Sequence, residues 1–546
     1  MQINRFKNSF AENIFKNKYA QGPNDTWDAL ADRLVEDVCG SRWGKDKPIM
    51  SQEDRDYLAQ YIKEMKFVPG GRYLWYAGRG NSYFNNCFLL RAEEDTREEW
   101  ANLTQRAVSC LMTGGGIGVD YSILRPSGKP LTRTGGLSSG PIPLMQMLNE
   151  VGRGVMQGGS RRSAIYASLN WLHEDIPAFL TSKNWSDEIK AMKDKDFNAA
   201  APLDMTNISV NYDDKWLHNA DRANLHTFVE NCRQAMMTGE PGFSFNFGDK
   251  QNETLRNACT EVTSEDDSDV CNLGSINISN VSSLEEFKHI VELGSKFLVC
   301  GTLRADLPYD KVYKVREKNR RLGLGLMGIH AWLLQRGQGY EVTPELHEWL
   351  KVYKNESERS ANEHCERLFI SKPVAYRAIA PTGSIGILAG TTTGIEPLFA
   401  VAYKRRYLTD GTKWKYEYVV DTTADQLIKE YGLDPSKIET AYGLSHDYEK
   451  RLKFQADIQD YVDMSISSTI NLPSWGSKGN SESDVQRFAE TLSNYAPRLR
   501  GFTCYPDGSR GGQPLTEVPY EEAIKHKGIV YEENIDRACV SGVCGI

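Results

Sequence analysis

Asn257, Cys259 and Glu261 occupy alternate positions in the segment Asn257-Ala258-Cys259-Thr260-Glu261. In an extended backbone, residues two apart point to the same side. An amide, a thiol and a carboxyl would then share one face within roughly 13 Å, at about 3.3 Å per residue. Such a face supplies an orienting group, a redox-active atom and a proton acceptor. Three alternating polar residues also describe an ordinary solvated strand edge, so the weight rests on what else the chain carries. Cys539 and Cys544 sit within the last eight residues, and the other cysteines are scattered. Each of these cysteines alone reads as a small core residue or an incidental tail thiol. A cysteine pair on an exposed tail invites oxidation, however, and a flexible dithiol suits an exchange carrier.

The elements that must position these groups are legible in outline. Residues 1–66 read as helical, with apolar residues at helical spacing in WDALADRLVEDV and EDRDYLAQYIKEM, until FVPGG breaks the pattern. From 83 to 170 short apolar runs alternate with glycine clusters: NNCFLL, MTGGGIGVDYS, RTGGLSSGPIPLM and MQGGSRRSAIYASLN. That punctuation suits an α/β domain whose loops approach a ligand closely. Helices are expected around NLHTFVENCRQAMMTG, near 283–300 and 343–370, and in VQRFAETLSNYA, with a strand and turn in GFTCYPDGSRGG. The acidic run Glu265-Asp266-Asp267-Ser268-Asp269 reads as a solvated loop. RACVSGVCGI at the end reads as a mobile tail.

Composition narrows the classes. The chain has 546 residues, 25% charged and 40% hydrophobic, with 65 Lys plus Arg against 73 Asp plus Glu and a net charge of −8. This balance argues against a general affinity for nucleic acid or for anionic membranes. No apolar run approaches the roughly 20 residues of a membrane span. The N-terminus MQINRFKNSFAENIF lacks the apolar core of a signal peptide, so a cytoplasmic location is the expectation. Eleven scattered cysteines without a CxxC pair or a Cys/His quartet argue against a disulfide framework and against a metal site. Cys39, Cys110, Cys232, Cys300 and Cys365 fall in amphipathic stretches and read as core.

NNCFLL, MTGGGIGVDYS, TGGLSSGPIPLM, QGGSRR, NACTE, CNLGSINIS, KNRRLGLGLMG, APTGSIGILAGTTTGIEP and a cysteine-terminated tail follow one another in a single order. As a set they resemble the catalytic subunit of ribonucleotide reductases over essentially the whole chain. The resemblance implies a ten-stranded α/β barrel of two five-stranded halves with a central finger loop. It implies a helical region at 1–66, a barrel at 67–530 and a redox tail at 531–546. It also implies roles. Cys259 resembles the thiyl radical residue that takes the ribose 3′-hydrogen, Glu261 the base for the 3′-hydroxyl, and Asn257 the partner orienting the substrate hydroxyls and this carboxylate. Cys87 and Cys271 resemble the dithiol that reduces the 2′-carbon, and Cys539 and Cys544 the shuttle re-reduced by thioredoxin or glutaredoxin. Thr382, Gly383, Ser384 and Ile385, with Asn86, resemble the substrate and diphosphate site; free N–H groups at a helix start and Thr and Ser hydroxyls suit phosphate. Asp95 and the loop Gly158, Gly159, Ser160, Arg161 and Arg162 resemble the site of a nucleoside triphosphate effector (a dNTP or ATP), located at a homodimer interface near TGGLSSGPIP.

The same resemblance leaves the radical source open. Relatives that receive the radical from a separate metal-carrying small subunit typically carry two consecutive tyrosines, whereas here Thr503-Cys504-Tyr505-Pro506 has one and the chain has no Tyr-Tyr pair. GIEPLFA and YPDGSR look like the cobalamin-dependent class. Adenosylcobalamin is the expected cofactor, a radical-generating partner subunit the alternative. No segment resembles the ATP-binding cone of many relatives, so control of specificity without dATP shut-off is expected. A glycyl-radical enzyme is disfavoured because Gly542 and Gly545 lack the flanking aromatic and arginine context. A silent nucleotide-binding protein is disfavoured by the full set of cysteines.

Overall fold

In the computed structural model, which describes residues 5–40, 48–155, 163–196, 199–409, 413–509 and 515–532, the chain begins with three helices. These are α1 (Ser9–Lys18), α2 (Trp27–Cys39) and α3 (Gln52–Lys63). Each opens on a side-chain cap: Asn8, Thr26 and Ser51 accept from the N–H groups of Ala11, Ala29 and Asp54. Trp27 of α2 is buried and its indole N–H donates to the Ile62 carbonyl of α3 at 2.9 Å. Among the described residues no helix is long and apolar enough to cross a membrane. Gly158, Gly159, Ser160, Arg161, Arg162, Cys539 and Cys544 lie outside the described residues.

The strands follow in order. β1 (Phe67–Pro69), β2 (Cys87–Arg91), β3 (Gly116–Asp120), β4 (Ile165–Asn170), β5 (Thr206–Tyr212) and β6 (Gly242–Phe245) come first. A short hairpin of β7 (Leu255–Arg256) and β8 (Thr263–Ser264) precedes β9 (Asp269–Asn277) and β10 (Leu322–Met327). Then come β11 (Ala402–Thr409), β12 (Lys413–Val420), β13 (Thr469–Leu472), β14 (Gly501–Pro506), β15 (Leu515–Glu517) and β16 (Val530–Glu532). Near-continuous burial of β2, β3 and β4 matches their unbroken apolar text, as expected for parallel strands covered on both faces.

The central sheet has ten strands, ordered β1-β9-β2-β3-β4-β5-β6-β14-β13, with β10 on the second edge of β9. β2 to β6 are mutually parallel. β9 and β10 are parallel, as are β13 and β14. The two parallel groups meet antiparallel at β2–β9 and at β6–β14. The ladder of assigned strands is open between β10 and β13. A segment around Arg377–Ile379 runs through this gap, with parallel bridges Leu324↔Arg377 and Ile379↔Ile466. Counted with it, each parallel group holds five members, and the two halves of the expected barrel are recognisable. β11, β12, β15 and β16 form a separate four-stranded sheet.

Two of the core's apolar clusters bear on the site. The larger cluster lies between the sheet and the helices around it, including Leu284–Arg304 and Pro344–Leu368, both close to the expected spans. Cys39, Cys110, Cys232, Cys300 and Cys365 are all buried in helices, as their spacing implies. A smaller cluster comprises Leu89, Leu255, Val262, Cys271, Leu273, Ala375, Ala378, Ala380 and Met464. Its members come from both halves and from the β7–β8 hairpin, which therefore fills the interior of the ring.

Candidate active site

The β7–β8 hairpin carries residues 257–262 at its tip, so Asn257–Glu261 is a turn and not the extended strand expected from its alternation. The Thr260 N–H donates to the Asn257 carbonyl at 3.0 Å, and Thr260 takes a left-handed φ of 71°. The Asn257 side-chain oxygen accepts from the Val262 N–H at 2.9 Å and closes the tip. Cys259 is thereby held outward at the apex and is exposed, while Glu261 and Asn257 are buried.

Glycines in MTGGGIGVD make room for this hairpin. A Cβ on Gly118 of β3 would stand 1.6 Å from the Arg256 carbonyl oxygen, and one on Gly116 would touch Ala258. The hairpin's stem is fixed by charge. Glu253 accepts from Thr263 Oγ1 at 2.7 Å and pairs with Arg500 at 2.9 Å; Asp269 accepts from Ser264 Oγ at 2.6 Å and pairs with Arg321 at 2.7 Å. Burial would raise the Glu253 pKa, but the Arg500 and Arg321 charges prevail and hold it down at about 2. These contacts also correct the reading of residues 265–269 as a solvated loop. Asp267 and Asp269 are buried because Lys311, Arg106 and Arg321 neutralise them.

Cys87 on β2 lies directly opposite Cys271 on β9, across the antiparallel seam between the halves. Opposed residues of such a pair have Cα atoms about 4.5–5.5 Å apart, within the span a disulfide bridges. Both are buried thiols. Burial pushes each well above the usual thiol range, reinforced by the Glu261 charge near Cys87 and the Asp269 charge near Cys271. The Asn257 amide donates to Cys87 Sγ at 3.0 Å, tying the tip to this pair.

A cavity of about 170 Å³ opens in front of the tip. Cys259, Glu261, Cys87 and Asn86 line one side, and Thr382, Gly383, Ser384 and Ile385 the other. Asn257 and Cys271 stand behind the wall and do not line it. Burial pushes the Glu261 carboxyl up to about 7, although hydrogen bonding from Asn257 acts the other way. Glu261 Oε2 and Asn86 Oδ1 are buried atoms without a hydrogen-bond partner, as expected of groups that await a polar ligand. Thr382, at a φ of 49°, accepts from the Gly394 N–H at 2.8 Å and starts the helix Gly383–Ala389. The first N–H groups of that helix have no acceptor within it.

Sequence reading missed part of this cavity. Tyr19, following α1, and Gly70, Gly71 and Arg72, following β1, also line it. FVPGG is the edge strand and cavity wall rather than a simple break. Asp95 lies elsewhere, in a second cavity of about 430 Å³ with Trp100, Arg133, Leu137 and Ser138, and its carboxylate pairs with Arg125 at 2.6 Å.

Comparison with known proteins agrees with this architecture. The chain matches the family described as "Ribonucleotide reductase, barrel domain" over residues 85–228, 231–347 and 374–496. A relative named vitamin B12-dependent ribonucleoside-diphosphate reductase, from Mycobacterium tuberculosis (strain CDC 1551 / Oshkosh), is 25% identical over 91% of this chain and 78% of its own length. The solved structure of a B-12 dependent (class II) ribonucleotide reductase superimposes with a TM-score of 0.70 at 16% identity, covering 94% of this chain and 93% of the other. The class Id ribonucleotide reductase alpha subunit of Actinobacillus ureae gives 0.70 at 17% identity, covering 92% and 97%. At such identities the two likenesses speak for the fold alone.

Proposed function

The chain belongs to the ribonucleotide reductase barrel-domain family, and from that membership we propose that it reduces ribonucleoside di- or triphosphates at the cavity in front of Cys259, with adenosylcobalamin as the radical source. The observation that carries this reading is the convergence on one cavity of the Cys259 thiol, the Glu261 carboxyl and Cys87, whose strand partner is Cys271.

The chemistry assigned to each residue is as follows. A Cys259 thiyl takes the ribose 3′-hydrogen, and Glu261 takes the proton of the 3′-hydroxyl. A carboxyl with a pKa of about 7 is well matched to that task at neutral pH. Cys87 and Cys271 give two electrons and two protons as the 2′-hydroxyl leaves as water, and the new S–S bond forms across the β2–β9 seam. Their raised pKa values keep both as protonated thiols, the form this step consumes. Asn257 orients the tip, Cys87 and Glu261 from behind the wall. Asn86 and residues 382–385 receive the sugar and phosphates. When bound, adenosylcobalamin supplies the radical equivalent that converts the Cys259 thiol to the thiyl. That sulfur can be reached there: Cys259 is exposed at the apex of the hairpin and lines the cavity. The name of the Mycobacterium tuberculosis relative and the lack of a Tyr-Tyr pair support the same cofactor.

Thioredoxin or glutaredoxin would recharge the dithiol through Cys539 and Cys544. A nucleoside triphosphate effector would bind beside Asp95, and exposed Leu137 in TGGLSSGPIP favours a homodimer contact there. The deciding experiment is turnover of the purified chain with dithiothreitol and mixed effectors, with and without adenosylcobalamin. Deoxynucleotide is expected only with the cofactor, and none from Cys259→Ser. Product that appears without cobalamin once a second subunit is added would overturn the assignment of the radical source.

A further inference from the structure

The phosphate side of the cavity, residues 381–385, contains no cationic side chain. Substrate bound there would bring two or more negative charges against neutral hydroxyls and N–H groups. Lys18, the last residue of α1, projects to this loop from a distant part of the chain: its Nζ donates to Ser384 Oγ at 3.3 Å. Lys18 is exposed, and among the described residues no carboxylate pairs with it. The next residue, Tyr19, is buried and lines the cavity, so the end of α1 is anchored at the rim. α1 also packs along the helix Gly383–Ala389, and Lys7, just before α1, donates to the Gly390 carbonyl at 3.1 Å at its far end. The N-terminal segment thus grips both ends of the phosphate-side helix and, among the described residues, holds at its start an ammonium that no carboxylate pairs. The cation that does line the cavity, Arg72, donates to the Tyr83 and Thr113 carbonyls.

We infer that Lys18 is a substrate-binding residue that supplies the counter-charge to the nucleotide's phosphates, with Ser384 as its resting partner. The inference rests on reading this cavity as the nucleotide site. An ammonium at the rim recognises charge without demanding bidentate geometry, so arginine is a usable substitute and methionine is not.

The test is calorimetric binding of a ribonucleoside diphosphate and of the corresponding nucleoside to the full chain, alongside steady-state kinetics. Lys18→Met should weaken diphosphate binding about tenfold, as expected for loss of one charge-assisted contact. It should raise KM more than it lowers kcat and leave nucleoside binding unaffected. Lys18→Arg should restore most of the affinity. The deficit should shrink as salt rises, since the residue is exposed. Lys16→Met on the same helix, whose lysine pairs with Glu12, controls for net charge and should bind as the parent does. Lys18→Met binding that equals the parent's would overturn the inference while sparing the cavity assignment. Failure of the parent chain to bind any nucleotide would remove the cavity assignment and the inference together.

Discussion

Glu261 shows what burial does to a single side chain. Its carboxyl is buried where it lines the cavity, with one oxygen left without a hydrogen bond, and its pKa rises from 4.5 to about 7. A base must be ionised to act, so kcat/KM should climb as pH rises through about 7 and level off above it. Glu261→Gln should abolish that limb and lower turnover by roughly 10²–10⁴-fold, the usual contribution of a positioned acid–base group. A pH–rate profile of parent and variant checks both. The same shift has a stability sign. Between the unfolded value near 4.5 and the folded value near 7, the native state holds a proton that the unfolded state releases. This group's contribution is therefore fully present below about 4.5 and is lost as pH rises through about 7. Thr260 illustrates a different limit at this scale. Its left-handed backbone makes the turn, but threonine rarely takes that conformation, so nothing in its identity signals a turn. The alternation of Asn257, Cys259 and Glu261 therefore read as a strand.

On the proposed reading the β7–β8 hairpin is the element on which the chemistry depends, and its fit against β3 is decided by backbone contact. Gly118→Ala would put a methyl 1.6 Å from the Arg256 carbonyl, so the hairpin must move by more than an ångström. A displacement of that size at a reacting group costs on the order of 10²-fold in rate. We expect Gly118→Ala to keep the far-ultraviolet circular dichroism of the parent while losing at least that much turnover, measured with saturating substrate. The glycines of MTGGGIGVD were legible as a sign of close approach. That the approaching group is the chain's own hairpin was not, because the contact joins residues 118 and 256. Most element types were legible from local periodicity, as in His226–Thr238, Val485–Tyr495 and Gly501–Pro506. The acidic run was misread because composition signals solvation, whereas the neutralising Arg321 and Lys311 come from β10's approach and a helix much later in the chain. Tyr19 escaped notice for the same reason: just past the end of a short helix, nothing local distinguishes a cavity-facing residue from any other.

Across the whole molecule, two parallel half-barrels meet at two antiparallel seams, and ordered motifs rather than periodicity made that arrangement legible. One seam carries Cys87 opposite Cys271. Oxidation there closes a very long loop of chain, which in chain-entropy terms stabilises the fold by about 5 kcal/mol. The oxidised protein should therefore melt at a higher temperature than the reduced one in scanning calorimetry, and Cys271→Ser should erase the difference. Each round of reduction would then leave a rivet between the halves that the next reductant must draw. Rigidity would alternate with catalysis, so a population of molecules could be sorted by thermal resistance into those that have fired and those still charged.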